Sequence, residues 1–217
     1  MKKVILSAVA ALITAGAANA QIRFAPELGL NLASLNGKYM VGTASTSVNS
    51  GMSIGARIGA VADIGITENI YVRPGIQFSM LGGKDFPVSG IDMSINYIQV
   101  PISVLYKLSG SDNNGLYFGL VPYFGFALGG KMKDEDGSES LKIGSDEAKD
   151  NVKPLDFGAG VKVGYELPMG LYFDASFMQG LANLVPGGNS DNKYMTRNIT
   201  IGVGYFLMKG AGKGGKM

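Results

Sequence analysis

The side chains of this chain that could take part in chemistry are mainly charged residues flanked by apolar neighbours. Histidine and cysteine are absent from the 217 residues, which excludes histidine-assisted triads, thiol nucleophiles and most transition-metal sites. The remaining candidates are five acids and four bases that share one strand face: Glu27, Arg57, Asp63, Arg73, Lys107, Asp156, Lys162, Glu166 and Asp174. Enclosed charges are costly unless they are paired, so the set predicts an internal charge network and no catalytic site. We expect no cofactor and no metal ion, although carboxylate chemistry by Asp63 and Asp174 stays open as an alternative.

One short acidic stretch could bind a hard cation. Asp134, Glu135 and Asp136 precede Gly137 and resemble a fragment of a calcium-binding loop. The full calcium-loop pattern is missing, and neighbouring lysines compete for the acids. The stretch therefore indicates a solvated loop within the charged segment 131–153, which is suited to facing a polar surface or a partner.

The charged set lies in segments where apolar residues occupy every second position. Residues 52–66 are the clearest case, with Met, Ile or Ala at each even position. A period of two predicts a β-strand with one apolar face. Eight such strands are predicted, at 22–33, 52–66, 70–81, 91–108, 116–130, 154–167, 171–181 and 196–207. In the fourth strand Ile91, Met93 and Ile95 are out of phase with the rest, which predicts a bulge near Asn96 or Tyr97.

The connections between these strands alternate in length. The connections 67–69, 109–115 and 168–170 are short, whereas 34–50, 82–90, 131–153 and 182–195 are longer and polar. An even number of strands with short turns at one end and long loops at the other is typical of outer-membrane barrels. In that architecture the short turns and both termini lie on the periplasmic side.

The decisive question is which solvent meets the apolar strand faces. Each strand carries about five or six outward apolar residues, which corresponds to the roughly ten-residue strand that a bilayer requires. Aromatic residues on these faces collect near the short turns, as in a membrane-interface girdle: Phe24, Tyr106, Phe118, Tyr165, Phe173 and Tyr205. We therefore expect the apolar faces to meet lipid. A secreted soluble barrel that binds lipid, with the charged face outward, is the alternative.

The N-terminal twenty residues have the pattern of a cleavable signal peptide. Two lysines precede an apolar stretch that ends in small residues, so cleavage is expected between Ala20 and Gln21; an uncleaved anchor is the alternative. Without Lys2 and Lys3 the 17 remaining bases balance the 17 acids, and nothing indicates a nucleic-acid partner. The predicted organisation is a signal peptide (1–20), a barrel domain (21–207) and a flexible, basic, glycine-rich periplasmic tail (208–217).

Several stretches resemble the PorT-like outer-membrane β-barrel domain family. One is the strand Tyr97-Ile98-Gln99-Val100-Pro101-Ile102, in which a tyrosine is followed by alternating residues and a proline. Others are 155–166, 173–183 and 198–205, so that the resemblance covers nearly the whole mature chain. It implies an eight-stranded barrel in the outer membrane. A role in protein secretion, known for one member, is not implied for this chain.

These observations predict an all-β, eight-stranded, antiparallel, up-and-down transmembrane barrel without enzymatic activity. An eight-stranded barrel is just wide enough for side chains to fill its interior, so a structural or surface-interaction role is expected. The alternatives are a small porin for ions or small solutes and an accessory component of a secretion or surface-assembly system. The expected partners are the lipid bilayer, the barrel-assembly machinery, which would read Tyr205 or Phe206 at the end of the last strand, and secretion or surface proteins.

Overall fold

The computed structural model describes residues 22–41, 44–86, 90–108 and 114–207, and all regular secondary structure in these ranges is β-strand. The proposed cleavage site and the C-terminal tail lie outside the described residues. No helix in the described ranges is long and apolar enough to cross a bilayer. The strands are β1 (Ile22–Val41), β2 (Ala44–Asn49), β3 (Ser53–Gly65), β4 (Ile70–Gly83), β5 (Asp92–Lys107), β6 (Gly115–Leu120), β7 (Tyr123–Lys133), β8 (Ser138–Ser140), β9 (Leu155–Glu166), β10 (Leu171–Gly180) and β11 (Lys193–Tyr205).

The strands close into a barrel in which every pairing is antiparallel. The order around the wall is β1, β3, β4, β5, β6 with β7, β9, β10 and β11, which pairs with β1 again. β6 and β7 form one wall strand that is interrupted at Val121 and Pro122, since both halves pair with β5 and β9. Proline cannot donate a ladder hydrogen bond, but the Pro122 carbonyl accepts one from the Ile102 amide at 2.9 Å. The predicted all-β barrel of eight antiparallel wall strands is confirmed.

Several strands extend beyond the apolar segments from which they were predicted. The segment 34–50 is not simply a loop, because β1 continues to Val41 and forms a hairpin with β2. β11 likewise begins at Lys193, and β8 adds a short strand to β7. Backbone pairing needs no apolar side chain, so strands that leave the lipid-facing zone lose the alternation but keep their hydrogen bonds. Below, the end of the barrel that carries these extensions is called the loop end, and the end with the β3–β4 and β9–β10 turns is the short-turn end.

The predicted bulge is near the expected place but on the other strand. Asn96 pairs with Gly129 and Tyr97 with Ala127, so the extra residue is Leu128 on β7. β5 itself alternates without a break, and its inward Met93 and Ile95 are buried. The apolar pattern shifts phase because the lumen becomes apolar at the loop end, while the backbone of β5 stays regular.

The two faces of the wall have opposite polarity. Outward apolar side chains are largely exposed, with Leu30 at 60% and Ile201 at 61% of their full accessible surface. Inward side chains are buried, and many of them are charged or polar. The six aromatic residues predicted as a girdle all face outward near the short-turn end and are between 43% and 52% exposed: Phe24, Tyr106, Phe118, Tyr165, Phe173 and Tyr205.

Candidate functional site

The lumen at the short-turn end contains a five-residue cluster of buried ion pairs. Asp63 accepts hydrogen bonds from Arg23 Nη2 at 2.6 Å, Arg73 Nε at 2.9 Å and Lys107 Nζ at 3.0 Å. Glu166 accepts from Lys107 Nζ at 3.1 Å and forms a close ion pair with Arg23. All five side chains are at most 5% exposed. The members come from β1, β3, β4, β5 and β9, so the cluster connects five wall strands.

Aromatic rings balance the excess of cations in this cluster and close the short-turn end. The Arg73 guanidinium carbon lies 4.9 Å from the ring centres of Tyr117 and Tyr172. The Arg23 guanidinium lies 3.9 Å from the ring centre of Phe206. The Phe206 ring also packs at a tilt against the ring of Tyr172, with 5.1 Å between the ring centres. The negative ring faces attract the cations. Because Phe206 is buried in this closure, Tyr205 is the outward aromatic at the end of β11.

A second group of charges lies further along the lumen. Arg57 approaches Asp174 at 3.4 Å and Glu27 at 3.9 Å, and Lys162 Nζ lies 3.1 Å from Asp174. The Tyr172 hydroxyl donates to Glu27 at 3.0 Å, which links this group to the aromatic closure. Two acids and two bases therefore neutralise each other in the middle of the barrel.

The ninth predicted charge, Asp156, is buried but lies in no ion pair among the described residues. Its Oδ2 accepts hydrogen bonds from Thr196 Oγ1 at 2.8 Å and Tyr123 Oη at 3.2 Å. Asp156 therefore does not belong to the predicted charge network, and the other eight predicted charges form two groups of ion pairs. The sequence position of Asp156 predicts only that its side chain faces the lumen. Its partners could not be predicted, because the hydroxyl donors belong to β7 and β11, which are distant in sequence.

Polar side chains fill most of the remaining lumen. Asn31 donates to Ser79 at 2.8 Å and accepts from Thr200 at 2.9 Å, and Gln77 donates to Gln99 at 2.9 Å. Next to them an enclosed polar cavity of about 20 Å³ remains. A cavity of this size can hold about one water molecule, so there is no room here for a solute.

Glycines on the lumen face make space for the large side chains. A Cβ at Gly164 would overlap the Tyr117 ring, and one at Gly204 would overlap the Tyr172 ring. A Cβ at Gly202 would overlap the Arg57 guanidinium. At these positions glycine is needed because a large side chain of a nearby strand lies over the backbone and leaves no room for a Cβ.

The loop end is closed by an apolar cluster, which we call the cap. Its buried members come from the loop-end parts of the strands and from the loops that fold over them: Ala33, Leu35, Leu81, Phe86, Met93, Ile95, Tyr97, Leu141, Val152, Ala182 and Leu184. Backbone and side-chain hydrogen bonds hold two of the loops together, with the Lys153 amide donating to the Leu184 carbonyl at 2.8 Å and the Tyr194 hydroxyl donating to the Asn151 carbonyl at 2.7 Å. Both ends of the lumen are therefore filled with side chains.

Sequence reasoning missed two parts of this arrangement. Arg23 was left out of the charged set, although it shares its strand face with Glu27. The cap was also missed, and its signal was the phase change at Met93 and Ile95, which place apolar side chains on the lumen face. Leu141 and Val152 lie in irregular loops, where no period indicates burial.

The acidic stretch that resembles a calcium loop has a structural explanation. Asp134 Oδ1 accepts hydrogen bonds from the backbone amides of Asp136 and Gly137 at 3.0 and 2.9 Å. This is the usual role of aspartate in a turn, and the turn connects β7 to β8. In the described part of the chain, no group of three or more acidic side chains is arranged to hold a metal ion.

Comparison with a family model agrees with this architecture. The model of the family described as outer membrane protein beta-barrel domain matches residues 17–185. Comparison with curated protein sequences finds no match. Among solved structures, Neisserial surface protein A is 12% identical with a TM-score of 0.49, over 84% of this chain and 96% of that one. The attachment invasion locus protein Ail of Yersinia pestis is 12% identical with a TM-score of 0.43, over 85% of this chain and 98% of that one. The family match covers most of the sequence, and the chain belongs to the outer membrane protein beta-barrel domain family, which places it in the bacterial outer membrane.

Proposed function

We propose that this protein is a non-enzymatic outer-membrane barrel with a filled lumen, and that its loop end serves surface interactions. The observation that carries the proposal is the closure of the lumen at both ends. Arg73 and Tyr172 at the short-turn end are at most 1% exposed, and Leu35 and Ile95 at the loop end are fully buried. A solute would have to displace both the ion-pair cluster and the cap, and separating buried charges from their partners is costly.

The closed lumen also argues against carboxylate catalysis inside the barrel. Asp63 is shared by three cations, and Asp174 lies between Arg57 and Lys162. Both carboxylates are buried, so no substrate can reach them without opening the barrel. Paired and inaccessible carboxylates fit a structural role.

The ordered loop end supports the proposed interaction role. The β1–β2 hairpin, the β7–β8 hairpin and the segments packed around Val152 and Leu184 are held by backbone pairing and by the cap. A partner that binds a preorganised surface pays less conformational entropy than one that must order flexible loops. An accessory role in secretion or surface assembly is a specific form of this proposal.

The finer features of biogenesis belong to the same proposal. A signal peptide cleaved between Ala20 and Gln21 would deliver the chain to the periplasm. The barrel-assembly machinery would then read the outward aromatic Tyr205 at the end of β11. The short turns, both termini and the tail 208–217 would face the periplasm, since short turns do so in outer-membrane barrels.

Single-channel recording in a planar bilayer tests the filled lumen. The mature chain is refolded in detergent, and insertion is verified by gel migration before and after heating. We expect no discrete openings from the parent or from Arg57→Ala, because the short-turn cluster and the cap remain in both. Steady openings whose conductance changes in Arg57→Ala would overturn the proposal and establish a small porin.

A further inference from the structure

Arg197 is the one arginine of the sequence that does not lie in the lumen. It is on β11, faces outward and is exposed. It lies two residues from the exposed Ile199 on the same face, a spacing of about 7 Å along a strand. Arg197 is therefore at the loop-end border of the apolar outer surface, where a membrane has its headgroups.

Gln179 of β10 holds the Arg197 side chain in one orientation. Gln179 Nε2 donates to the backbone carbonyls of Gly180 at 2.9 Å and Thr196 at 3.2 Å. Its Oε1 then accepts a hydrogen bond from Arg197 Nε at 3.0 Å. In the described part of the chain, no carboxylate lies within ion-pair distance of Arg197 and neither Nη atom has a hydrogen-bond acceptor. The two Nη groups therefore form an oriented pair of donors that no acceptor of the described protein uses.

An apolar groove of about 820 Å³ lies on the outer surface, and Ile199, two residues from Arg197 on the same strand face, is part of its lining. Its lining is almost entirely apolar and includes Leu120, Val161, Val163, Ala175, Phe177 and Ile199, and the groove continues to Tyr106 and Phe118 near the short-turn end. The register places Arg197 beside Gln179, and Ile199 beside Phe177 and Val161 in the next outward row. The following row contains the small Ala175 between Val163 and Ile201. The guanidinium and the groove are thus parts of one continuous stripe.

We propose that Arg197 and this groove form a binding site for a phosphate-bearing membrane lipid. The two free Nη groups match the bidentate geometry with which arginine binds phosphate. The groove holds a hydrocarbon chain of the same lipid, since its apolar lining offers close packing and no polar partner. Arg197 lies at the loop end, so the lipid belongs to the leaflet on that side of the membrane.

Native mass spectrometry of the mature, refolded chain in detergent tests this proposal. The probes are dimyristoyl phosphatidic acid, dimyristoyl glycerol and inorganic phosphate. We expect one phosphatidic acid to bind more tightly than either of the other two probes. Arg197→Gln should weaken phosphatidic acid binding about tenfold, as expected for a lost charge-assisted hydrogen bond, and Arg197→Lys should weaken it less.

Filling the groove tests the other half of the site. Ala175→Phe should weaken binding of both phosphatidic acid and dimyristoyl glycerol by taking the space of the chain. Two matched controls lie elsewhere on the barrel: Lys131→Gln, which removes another exposed cation at the loop end, and Ala60→Phe, on the outer face of β3. Both controls should bind like the parent, and heat-dependent gel migration shows whether each variant is folded.

Four results would overturn the proposal. Arg197→Gln could bind phosphatidic acid like the parent, which would remove Arg197 from the site. Lys131→Gln could weaken binding as much as Arg197→Gln, which would indicate unspecific surface charge. Inorganic phosphate could bind as tightly as the lipid, which would indicate an anion site that does not use the groove. Ala175→Phe could leave lipid binding unchanged, which would remove the groove from the site.

Discussion

At the scale of single residues, the lumen is stabilised by charged side chains that each bind more than one partner. Asp63 receives hydrogen bonds from three cations, and Lys107 and Arg23 each bind both Asp63 and Glu166. A shared carboxylate couples its cations, because its removal leaves several buried charges without a counter-ion. Glycines opposite the largest side chains are the other part of this arrangement, since the rings and guanidinium groups use the space that a Cβ would take.

Asp63→Asn should therefore destabilise the barrel strongly. The amide keeps the shape of the side chain but removes the charge that faces Arg23, Arg73 and Lys107. Breaking a buried ion pair in this way costs about 3–5 kcal/mol. The chain has no tryptophan, so the free energy of unfolding is best measured by urea titration followed by heat-dependent gel migration. Lys149→Gln is the control, because Lys149 pairs with Asp146 in an exposed loop, where an ion pair contributes little. Equal urea midpoints for Asp63→Asn and the parent would contradict the prediction.

At the scale of elements, the sequence pattern of the strands changes along the barrel axis. In the lipid-facing zone the strands alternate apolar and polar residues. Beyond it, β1, β2, β8 and β11 continue as paired strands with little alternation. The cap stabilises this outer part as a hydrophobic core stabilises a water-soluble domain, with loop residues such as Leu141 and Leu184 packed over inward strand residues such as Ile95.

The order of the loops should depend on the cap. Val152→Asp places a carboxylate among apolar side chains, where it has no partner, and should detach the segment 141–153. We expect faster trypsin cleavage after Lys142, Lys149 and Lys153 in vesicles, while the barrel itself stays folded. Ser138→Asp is the control, since Ser138 is exposed in β8.

The same variant distinguishes the contribution of the cap from that of the ion-pair cluster to closing the lumen. Val152→Asp should remain silent in single-channel recordings because the ion-pair cluster still closes the short-turn end. Protection of the three lysines equal to that of the parent would show that the cap does not order the loops.

At the scale of the whole molecule, the barrel is organised inside out relative to a soluble barrel. Charged and polar side chains fill the interior between the short-turn end and the apolar cap, and the exterior carries a continuous apolar surface. Such a surface is far larger than the apolar patches of soluble monomers. The family match places this surface in the outer membrane, where lipid covers it.

A charge on the outer wall tests this arrangement. Ile201→Arg changes an outward residue of β11 that is 61% exposed, and it should lower the stability of the inserted barrel by about 2–4 kcal/mol if the position is near the bilayer centre. Folding yield and urea midpoint in lipid vesicles measure the effect, with Ile201→Phe as the apolar control. An Ile201→Arg variant that folds without detergent and is more soluble than its parent would instead favour the soluble lipid-binding barrel.

The sequence by itself determined the strands of the lipid-facing zone, their faces and the alternation of turns and loops. These features follow from the backbone, since successive side chains of a strand point to opposite sides and each side meets one solvent. The faces of Glu27, Arg57 and Asp174 could be predicted for that reason. The partners of these residues could not be predicted. A period of two determines whether a side chain points to the lumen or to the lipid, but it determines neither its level along the barrel axis nor the strand that it faces.

Only the tertiary structure decided which side chains meet. Arg23 binds Glu166 across 143 residues of sequence, and Asp156 is held by hydroxyl groups from β7 and β11. The cap brings Leu35, Ile95 and Leu184 together from three distant segments. Barrel closure and strand register set these contacts, because they bring side chains from opposite walls to the same level of a narrow lumen. A local sequence pattern does not show which side chains share a level of the lumen. The filled lumen therefore forms only when the first and last strands of the sheet pair and close the barrel.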